Sequence, residues 1–470
     1  MRAWTGLGLA LLVSACTTVG PDYRGPPPSA AVHAPESTGT FLGAREPHYS
    51  AEPVPGEWWR LYEDPVLEGL VRQALRSNVD LRVAAANLAR SRALLAEVGA
   101  AKLPSTAVDA SVGASQAPPV HPLVGYGLDF DVSYQLDLFG RIRRAIEAAR
   151  ADTESVQAAL DLTHITVAAE TTRAYANVCS VGNELAVARR VLALQEESLS
   201  RTRRLVEAGR GTVLDLSRAR AQVEVLRANV PPLVVLRRIA LLRLAVLSGR
   251  PPALFPPDVE ACETLPRLRA PIPVGDGAAL LRRRPDVRQA ERALAAETAR
   301  IGVATADLYP SVSFGLSVGS GGLVESIGEV STLRWSLGPL VSWTFPNTRV
   351  ARSRIAQADA AAQGALAQFD SVVLNALLET ESNLTQYTQD LELVAALTAA
   401  RDFSAEAARE ADALYRGGRE SFLTVLDAER TRANAEASLA SAQSRLVSDQ
   451  ISLFLSLGGG WEGPPRAEGK

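Results

Sequence analysis

This sequence does not concentrate the residue types that usually carry catalysis, metal binding or nucleic-acid binding. Its 470 residues include 49 Lys and Arg against 52 Asp and Glu, so there is no basic field that would attract nucleic acid. The four histidines are scattered, and no paired His/Glu spacing or cysteine cluster indicates a metal site. Residues 319–322 lack the Lys-Ser/Thr of a phosphate loop, and their place at a strand end predicts an extracellular loop. We therefore expect no enzyme, no catalytic residues and no metal site.

Aromatic residues are scarce as well, at 5% of a chain that is 47% hydrophobic. Alanine fills many apolar positions, which favours long, closely packed helices over a thick globular core. A helix that crosses a bilayer needs roughly 20 apolar residues. The most apolar stretch, residues 233–247, is interrupted by Arg237, Arg238 and Arg243, so no transmembrane helix is expected.

Cysteine is rare, and the first of the three cysteines stands in an informative place. Arg2, the apolar residues 7–13 and two small residues precede Cys16, as in a secretory signal. Residues 12–16 resemble a bacterial lipobox, which implies a diacylglycerol lipid on Cys16 as the mature N-terminus and no other cofactor. Thr17, where Asp usually retains lipoproteins in the inner membrane, implies the outer membrane. The alternative is an ordinary signal peptide with an incidental cysteine.

The other two cysteines, Cys179 and Cys262, do not show a diagnostic spacing. Whether they are joined in a disulfide therefore stays open.

Two halves of the chain look like copies of one unit. Asp80 and Pro104 match Asp286 and Pro310 at one constant offset, and the later glycines and leucines match at a slightly larger one. Such duplication means that each copy needs its neighbour. The chain is divided into a signal peptide (1–15), a lipid-anchored extended segment (16–64), repeat 1 (65–250), a linker (251–276), repeat 2 (277–459) and a tail (460–470).

Apolar and polar residues alternate in four segments, at about residues 105–115, 126–138, 311–319 and 332–345. Strict period two over about ten residues is typical of transmembrane β-barrels. A half-buried soluble sheet shows the same alternation, but the lipobox and the aromatic residues at strand ends favour the membrane. The polar face carries Asp109, Asp129, Asp131 and Asp137, which favour cations in a lumen.

Four strands cannot close a barrel around a lumen, and an open edge in lipid leaves backbone groups unpaired. The barrel must therefore be shared between chains, as a dimer with eight strands or a trimer with twelve.

Very long helices lie between the strand pairs. Residues 141–208 and 347–416 contain one glycine each and no proline, and each stretch of roughly 70 residues would be about 100 Å long. Such helices cannot fit within a 30 Å membrane, so we expect them in the periplasm. Each ends at a glycine-bearing turn, at 209–211 and 417–419, and returns as a second helix that Pro231-Pro232 interrupts only in the first copy.

Four motifs resemble the outer-membrane factors of the TolC and OprM type, in their lipoprotein branch. They are residues 16–23 (CTTVGPDY), 57–65 (EWWRLYEDP), 205–216 (LVEAGRGTVLDL) and 414–430 (LYRGGRESFLTVLDAER). The resemblance implies a homotrimer with a twelve-stranded outer-membrane barrel continuous with a periplasmic α-helical tunnel. It also implies a passive exit duct for small molecules that docks on a periplasmic adaptor and an inner-membrane pump, of the RND type.

The resemblance also assigns roles near the two helical tips. Asp215 and Tyr415 stand where the family links neighbouring coils at a closed gate, and Asp427 stands where an acid faces the constriction. The alternatives are an exposed tyrosine, an aspartate favoured by a helix N-terminus and a solvated acid. Thr424 replaces the second acid of some members, which puts strong cation block in doubt.

The tip glycines Gly209 and Gly418, with Arg210 and Arg419 after them, correspond to the family's adaptor-docking surface. Several relatives carry apolar or small residues in place of these arginines, so docking here would be more polar. The alternative is two simply exposed arginines.

Two other functions compete with an exit duct. A periplasmic adaptor lipoprotein has one helical hairpin, whereas this sequence has two hairpins and two strand pairs. A lipid-anchored enzyme would need a catalytic set. The sequence identifies neither the cargo nor the individual pump and adaptor.

Overall fold

The computed structural model describes residues 18–26, 34–45, 48–116 and 123–459. The predicted signal peptide, Cys16 and the tail from 460 onward lie outside the described residues. The helices are α1 (Pro35–Thr38), α2 (Pro65–Ser77), α3 (Val79–Ala100), α4 (Arg141–Glu207), α5 (Val213–Ala228), α6 (Val230–Leu247), α7 (Pro257–Glu260), α8 (Gly277–Arg283), α9 (Pro285–Ala306), α10 (Arg349–Arg416) and α11 (Phe422–Ser456). The strands are β1 (Tyr49–Ser50), β2 (Ser105–Ser115), β3 (Leu123–Leu136), β4 (Ile272–Pro273), β5 (Ser311–Leu323) and β6 (Leu333–Ser342).

The chain divides into two compact units. The first comprises Met1–Ser29, Ala86–Ala159 and Asp286–Val372, and the second comprises Ala30–Ala85, Leu160–Pro285 and Val373–Lys470.

The first unit contains a four-stranded antiparallel sheet in the order β2-β3-β5-β6. Strands β3 and β5 are in the middle, so β2 and β6 each keep one edge without a partner among the described strands. The register places Val108 opposite Phe130, and Phe130 opposite Val318, which in turn lies opposite Trp335. Because partners in register project from the same face, the alternating apolar residues form one apolar face.

The bounds of three of the four long strands, β3, β5 and β6, differ from the predicted ones. The second strand begins at Leu123 and ends at Leu136, instead of 126–138. The last strand is Leu333–Ser342, shorter than 332–345, because Ser342 pairs with Ser311, the first residue of β5. Beyond it the chain leaves the ladder, and the Trp343 indole N–H donates to the backbone oxygen of Leu308 at 3.1 Å.

The expectation of an extracellular loop at residues 319–322 is wrong. Strand β5 continues to Leu323, and Gly319, Gly321 and Gly322 pair with Asp129, Gly127 and Tyr126 of β3. The pairing with β3 keeps all three glycines in the ladder, and Gly319 pairs with Arg334 of β6 as well.

The assignment of Asp137 to the polar face of a strand is also wrong. Asp137 follows β3, and its carboxylate accepts the backbone N–H groups of Ile142 and Arg143 at 3.0 Å each. The first N–H groups of a helix lack intrahelical partners, so Asp137 is used at the start of α4.

The second unit is helical and has a continuous apolar core. Trp58 is fully buried and stacks on Phe454, with ring centroids 4.7 Å apart, and Trp59 and Tyr62 pack beside it. Residues 57–62, predicted as part of an extended segment, include the 3₁₀ turn Trp58–Tyr62, because three of these aromatic side chains must reach one core. Asp64 then caps α2, accepting from the backbone N–H groups of Val66 and Leu67.

A disulfide joins Cys179 of α4 to Cys262, which answers the question that the sequence left open. Gly182 lies one turn further along α4, and a Cβ there would stand 2.1 Å from the Cys262 backbone oxygen. Arg237 of α6 donates to that same oxygen at 2.9 Å. The linker is therefore held on α4 by a covalent bond, a close backbone approach and a hydrogen bond.

The two long helices, α4 and α10, contain 67 and 68 residues. Two residues after the end of each helix stands a glycine with positive φ, Gly209 at 72° and Gly418 at 69°, where a side chain would be strained. The return path of the first copy divides into α5 and α6 at Asn229, beside the prolines, whereas α11 is unbroken. None of the described helices combines the length and the apolar character needed to cross a membrane.

Candidate functional site

The exposed apolar face of the sheet is the most unusual surface of the first unit. Val112 is 75% exposed and Trp335 72% exposed, and Leu128, Leu337 and Val341 are also open. Single exposed apolar residues are ordinary, but a contiguous apolar sheet face indicates contact with lipid or another chain. Aromatic rings border one end of this face, where Trp343 stacks on Phe345 with centroids 4.9 Å apart.

The opposite face of the sheet is polar, and it holds an ion pair that the sequence pattern did not reveal. Arg334 of β6 donates to both carboxylate oxygens of Asp129 of β3, at 2.8 and 2.6 Å. Strand β5 lies between these two strands, and its residue at this level is Gly319. The only signal in the sequence was an arginine in a strand otherwise made of small and apolar residues.

The polypeptide following Cys16 is fastened to the first unit by a buried arginine. The Arg144 side chain, only 4% exposed, donates to Asp22 at 2.6 Å and to Glu147 at 2.7 Å. It also donates to the backbone oxygens of Val19 and Gly20 at 3.1 Å each. A guanidinium group with all of these partners holds the segment in one place.

Close backbone contacts support this attachment. A Cβ on Gly20 would lie 2.4 Å from the Cα of Gly302 in α9, and one on Gly140 would lie 2.6 Å from the Thr18 side chain. The Val19 N–H also donates to the backbone oxygen of Phe139 at 3.1 Å. Thr18 and Val19, two and three residues after Cys16 in the sequence, therefore lie at the connection between β3 and α4.

In the second unit, Tyr415 of α10 lies near Asp215 of α5. Burial, together with the negative charge of Asp215, raises the pKa of Tyr415. The Tyr415 ring also packs against Phe422, the first residue of α11, with centroids 5.8 Å apart. Asp215 meanwhile closes a capping box with Thr212, which donates its hydroxyl to the carboxylate at 2.5 Å. Asp215 thus caps the start of α5 and also places a negative charge near Tyr415.

Asp427 lies on an open surface of α11, with 62% of its side chain exposed. It is paired with Arg430 one turn later at 2.6 Å. Thr424, the position where some outer-membrane factors have an acid, donates its hydroxyl to Glu420 at 3.0 Å. Arg210 and Arg419 are exposed just after the two tip glycines.

A charged cluster lies below the tips, in α4, α10 and α11. Arg201 pairs with Glu197 at 2.7 Å and approaches Asp412 at 4.0 Å. Burial raises the pKa of Glu429, and the positive charges of Arg432 and Arg201 partly offset this increase. Within the described part of the chain, no group of three or more His, Cys, Asp or Glu side chains is placed to hold a metal ion.

Comparison with known proteins decides the family. The model of the outer membrane efflux protein family matches residues 70–250 and 278–459 of this chain. The chain belongs to that family. It is an outer-membrane efflux channel, and its family is one of transport proteins.

Two curated relatives illustrate how far the match extends. Nodulation protein T of Rhizobium leguminosarum bv. viciae is 28% identical over 457 residues, covering 97% of this chain and 93% of that protein. The antibiotic efflux pump outer membrane protein ArpC of Pseudomonas putida is 28% identical over 467 residues, covering 96% and 94%.

Solved structures of outer-membrane channels share the fold. The channel OprN is 36% identical to this chain, with a TM-score of 0.87, and the match covers 94% of this chain and 99% of OprN. The MtrE channel of Neisseria gonorrhoeae, solved in its open state, is 27% identical with a TM-score of 0.80, and 94% and 98% are covered. The expected combination of long helices and a membrane sheet is therefore the architecture of the family.

Proposed function

We propose that three copies of this chain form the exit duct of a tripartite efflux pump. The observation that carries the proposal is the four-stranded sheet, whose apolar face is exposed and whose β2 and β6 edges have no partner among the described strands. In lipid each unpaired backbone group costs several kcal/mol. Pairing β6 of one copy with β2 of the next removes both edges.

Ring closure by three copies gives twelve strands, and by two copies only eight. A barrel of about eight strands is just wide enough for side chains to fill its interior, whereas more strands leave a channel. The polar face then lines the lumen and the apolar face meets lipid. Twelve strands are thus the choice that fits a duct, as the resemblance to the outer-membrane factors implies.

The long helices carry the duct into the periplasm. A helix of 67 residues is about 100 Å long, which exceeds the bilayer severalfold. In this proposal the tips at Gly209-Arg210 and Gly418-Arg419 dock on a periplasmic adaptor, and an inner-membrane pump of the RND type delivers the cargo. Asp215, Tyr415 and Asp427 form the gate. The cargo is a small molecule, since ducts leave selection to the pump.

A lipid on Cys16 completes the membrane attachment. The Arg144 contacts support this part of the proposal, because they hold residues 19–22 beside the end of β3. A lipid two residues before Thr18 would enter the inner leaflet next to the sheet. The strands supply a second attachment to the membrane beside this lipid.

The test is the electrophoretic mobility of the protein in outer-membrane extracts, compared before and after heating. We expect a trimer band without heating and a single chain of about 50 kDa after heating. The purified trimer should form conducting pores in planar bilayers. A protein that migrates as one chain under both conditions and gives no conductance would instead fit the adaptor or the lipid-anchored enzyme.

A further inference from the structure

One row of the sheet contains three charged residues and one glycine. Asp109 of β2 is the register partner of Asp129 of β3, which is the partner of Gly319 of β5. Gly319 is in turn the partner of Arg334 of β6. Register partners project from one face of an antiparallel sheet, so this row crosses the polar face from edge to edge.

Within this row Arg334 reaches over a whole strand. Strands β3 and β6 are separated by β5, hence by about 10 Å, or two interstrand spacings. The guanidinium nevertheless contacts both oxygens of Asp129, and Nε is 3.1 Å from Oδ1. Bidentate contacts of this type fix the orientation of both groups.

Glycine in β5 makes this reach feasible. A Cβ on Gly319 would lie 2.0 Å from Asp129 Oδ1, a distance that no side chain tolerates. A Cβ on Gly321 would lie 3.0 Å from an Arg334 guanidinium nitrogen. The two glycines therefore leave a gap above β5, and the ion pair occupies it.

Because the ion pair is partly exposed, a contribution to folding stability does not account for its presence. The side chains of Arg334 and Asp129 are 59% and 25% exposed, and exposed ion pairs contribute little to folding. Its effect on the electrostatic field is larger, because Arg334 cancels one of the two carboxylates in the row. One net negative charge per chain then remains, near the exposed Asp109.

We propose that Arg334 is a selectivity-determining residue of the channel, which limits its preference for cations by holding Asp129 across the Gly319 gap. The inference rests on the proposed function, because the polar face must line a water-filled lumen. In the trimer each of the three rows faces the lumen, and their net charge sets the local concentration of cations and anions.

The experiment measures reversal potentials in planar bilayers under a KCl gradient, for four purified proteins. Arg334→Gln doubles the net negative charge of the row, and we expect its K⁺/Cl⁻ permeability ratio to rise by about twofold or more. Asp129→Asn makes the row neutral, so its ratio should fall below that of the wild type. The double variant has the wild-type row charge and should return close to the wild-type ratio.

Arg269→Gln is the matched control, since it removes an arginine that is 80% exposed and belongs to the linker, outside the four strands. Conducting trimers with one ratio in all variants would overturn the role of Arg334 and leave the duct intact. A double variant as cation-selective as Arg334→Gln would show that Arg334 acts without Asp129, which overturns the pairing. A wild type that assembles no conducting pore would overturn the duct and this inference together.

Discussion

Asp390 of α10 and Asp449 of α11 share a hydrogen bond between their two carboxyl groups. Burial, this hydrogen bond and the charge of Asp390 raise the pKa of Asp449 to about 7. Asp449 Oδ2 receives no N–H or O–H from the described residues, so a protonated Asp449 is the natural donor. Asp390 also accepts from Gln386 at 3.1 Å and lies 3.8 Å from Arg445, which keep it ionised.

This pair predicts that the helical unit loses stability as the pH rises. A carboxyl group whose pKa is raised on folding stabilises the native state fully below its unfolded pKa, near 4, and that contribution is lost as the pH passes through about 7. Asp449→Asn can donate to Asp390 at every pH. We therefore expect this variant to melt above the wild type at pH 8, with a smaller difference at pH 5. Circular dichroism of the purified protein measures both.

Asp402→Asn serves as the control for this experiment, because the Asp402 side chain is 62% exposed. Its melting temperature should follow the wild type at both pH values. An equal shift of Asp449→Asn at pH 5 and pH 8 would contradict a shared proton.

The disulfide predicts a redox-dependent stability of the same unit. Cys179 and Cys262 are separated by 83 residues. Closing a loop of this size lowers the conformational entropy of the unfolded chain, which raises the free energy of unfolding by roughly 4 kcal/mol. We expect reduced wild type and Cys179→Ser/Cys262→Ser to unfold at the same, lower guanidinium concentration than the oxidised protein. A midpoint that a reductant leaves unchanged would mean that the bond does not form in the folded protein.

Cys16→Ser should abolish lipidation. The pattern of residues 12–16 motivates this expectation, and mass spectrometry of the mature N-terminus measures it. An unmodified Cys16 in the native protein would refute the lipobox interpretation. Because the strands still insert and Arg144 still holds residues 19–22, we expect the variant to retain part of its outer-membrane assembly.

The orientation of the strands can be tested with arginine on either face of β3. Leu128→Arg with Phe130→Arg places charges toward lipid, where each costs about 2–4 kcal/mol near the bilayer centre. Asp131→Arg with Ser133→Arg places the same charges on the polar face, where they meet water. We expect far fewer heat-modifiable trimers from the first pair. Equal trimer yields would show that the apolar face does not contact lipid.

The fold followed from local patterns to different degrees. Alternation alone placed Leu128 and Phe130 on one face, because period two is a property of every strand. The turns at Gly209 and Gly418 were also readable, since glycine tolerates their positive φ. The ends of strands were harder to predict. Asp137 continues the alternation of β3, but its carboxylate accepts hydrogen bonds from the first N–H groups of α4.

The candidate sites depended on information that no local pattern contains. The contact between Asp129 and Arg334 requires the registers of three strands, and the shared proton of Asp390 and Asp449 requires the packing of α10 on α11. Asp215 and Tyr415 came from the family resemblance instead. Their proximity then emerged from the packing of the two tips.

The proposed gate lies at the tips of the long helices, at Asp215, Tyr415 and Asp427. Three-fold symmetry would bring three Asp427 side chains around one axis, and each is 62% exposed. Tyr415 lies near Asp215. Burial raises the pKa of the Tyr415 hydroxyl group, and the negative charge of Asp215 raises it further. A hydrogen bond from Tyr415 to a neighbouring coil, worth about 1 kcal/mol, would count three times in the trimer and hold the tips closed.

Tyr415→Phe combined with Asp427→Ala should therefore open the periplasmic end. We expect a higher single-channel conductance in planar bilayers, because the closed state loses its links. Divalent-cation block should weaken, because the ring of carboxylates that concentrates cations is gone. Glu406→Ala is the control. It removes an exposed acid of α10 instead of Asp427 of α11, and it should change neither the conductance nor the block. A correctly assembled double variant with wild-type conductance and block would place the gate elsewhere on the tips, at the Arg210 and Arg419 turns.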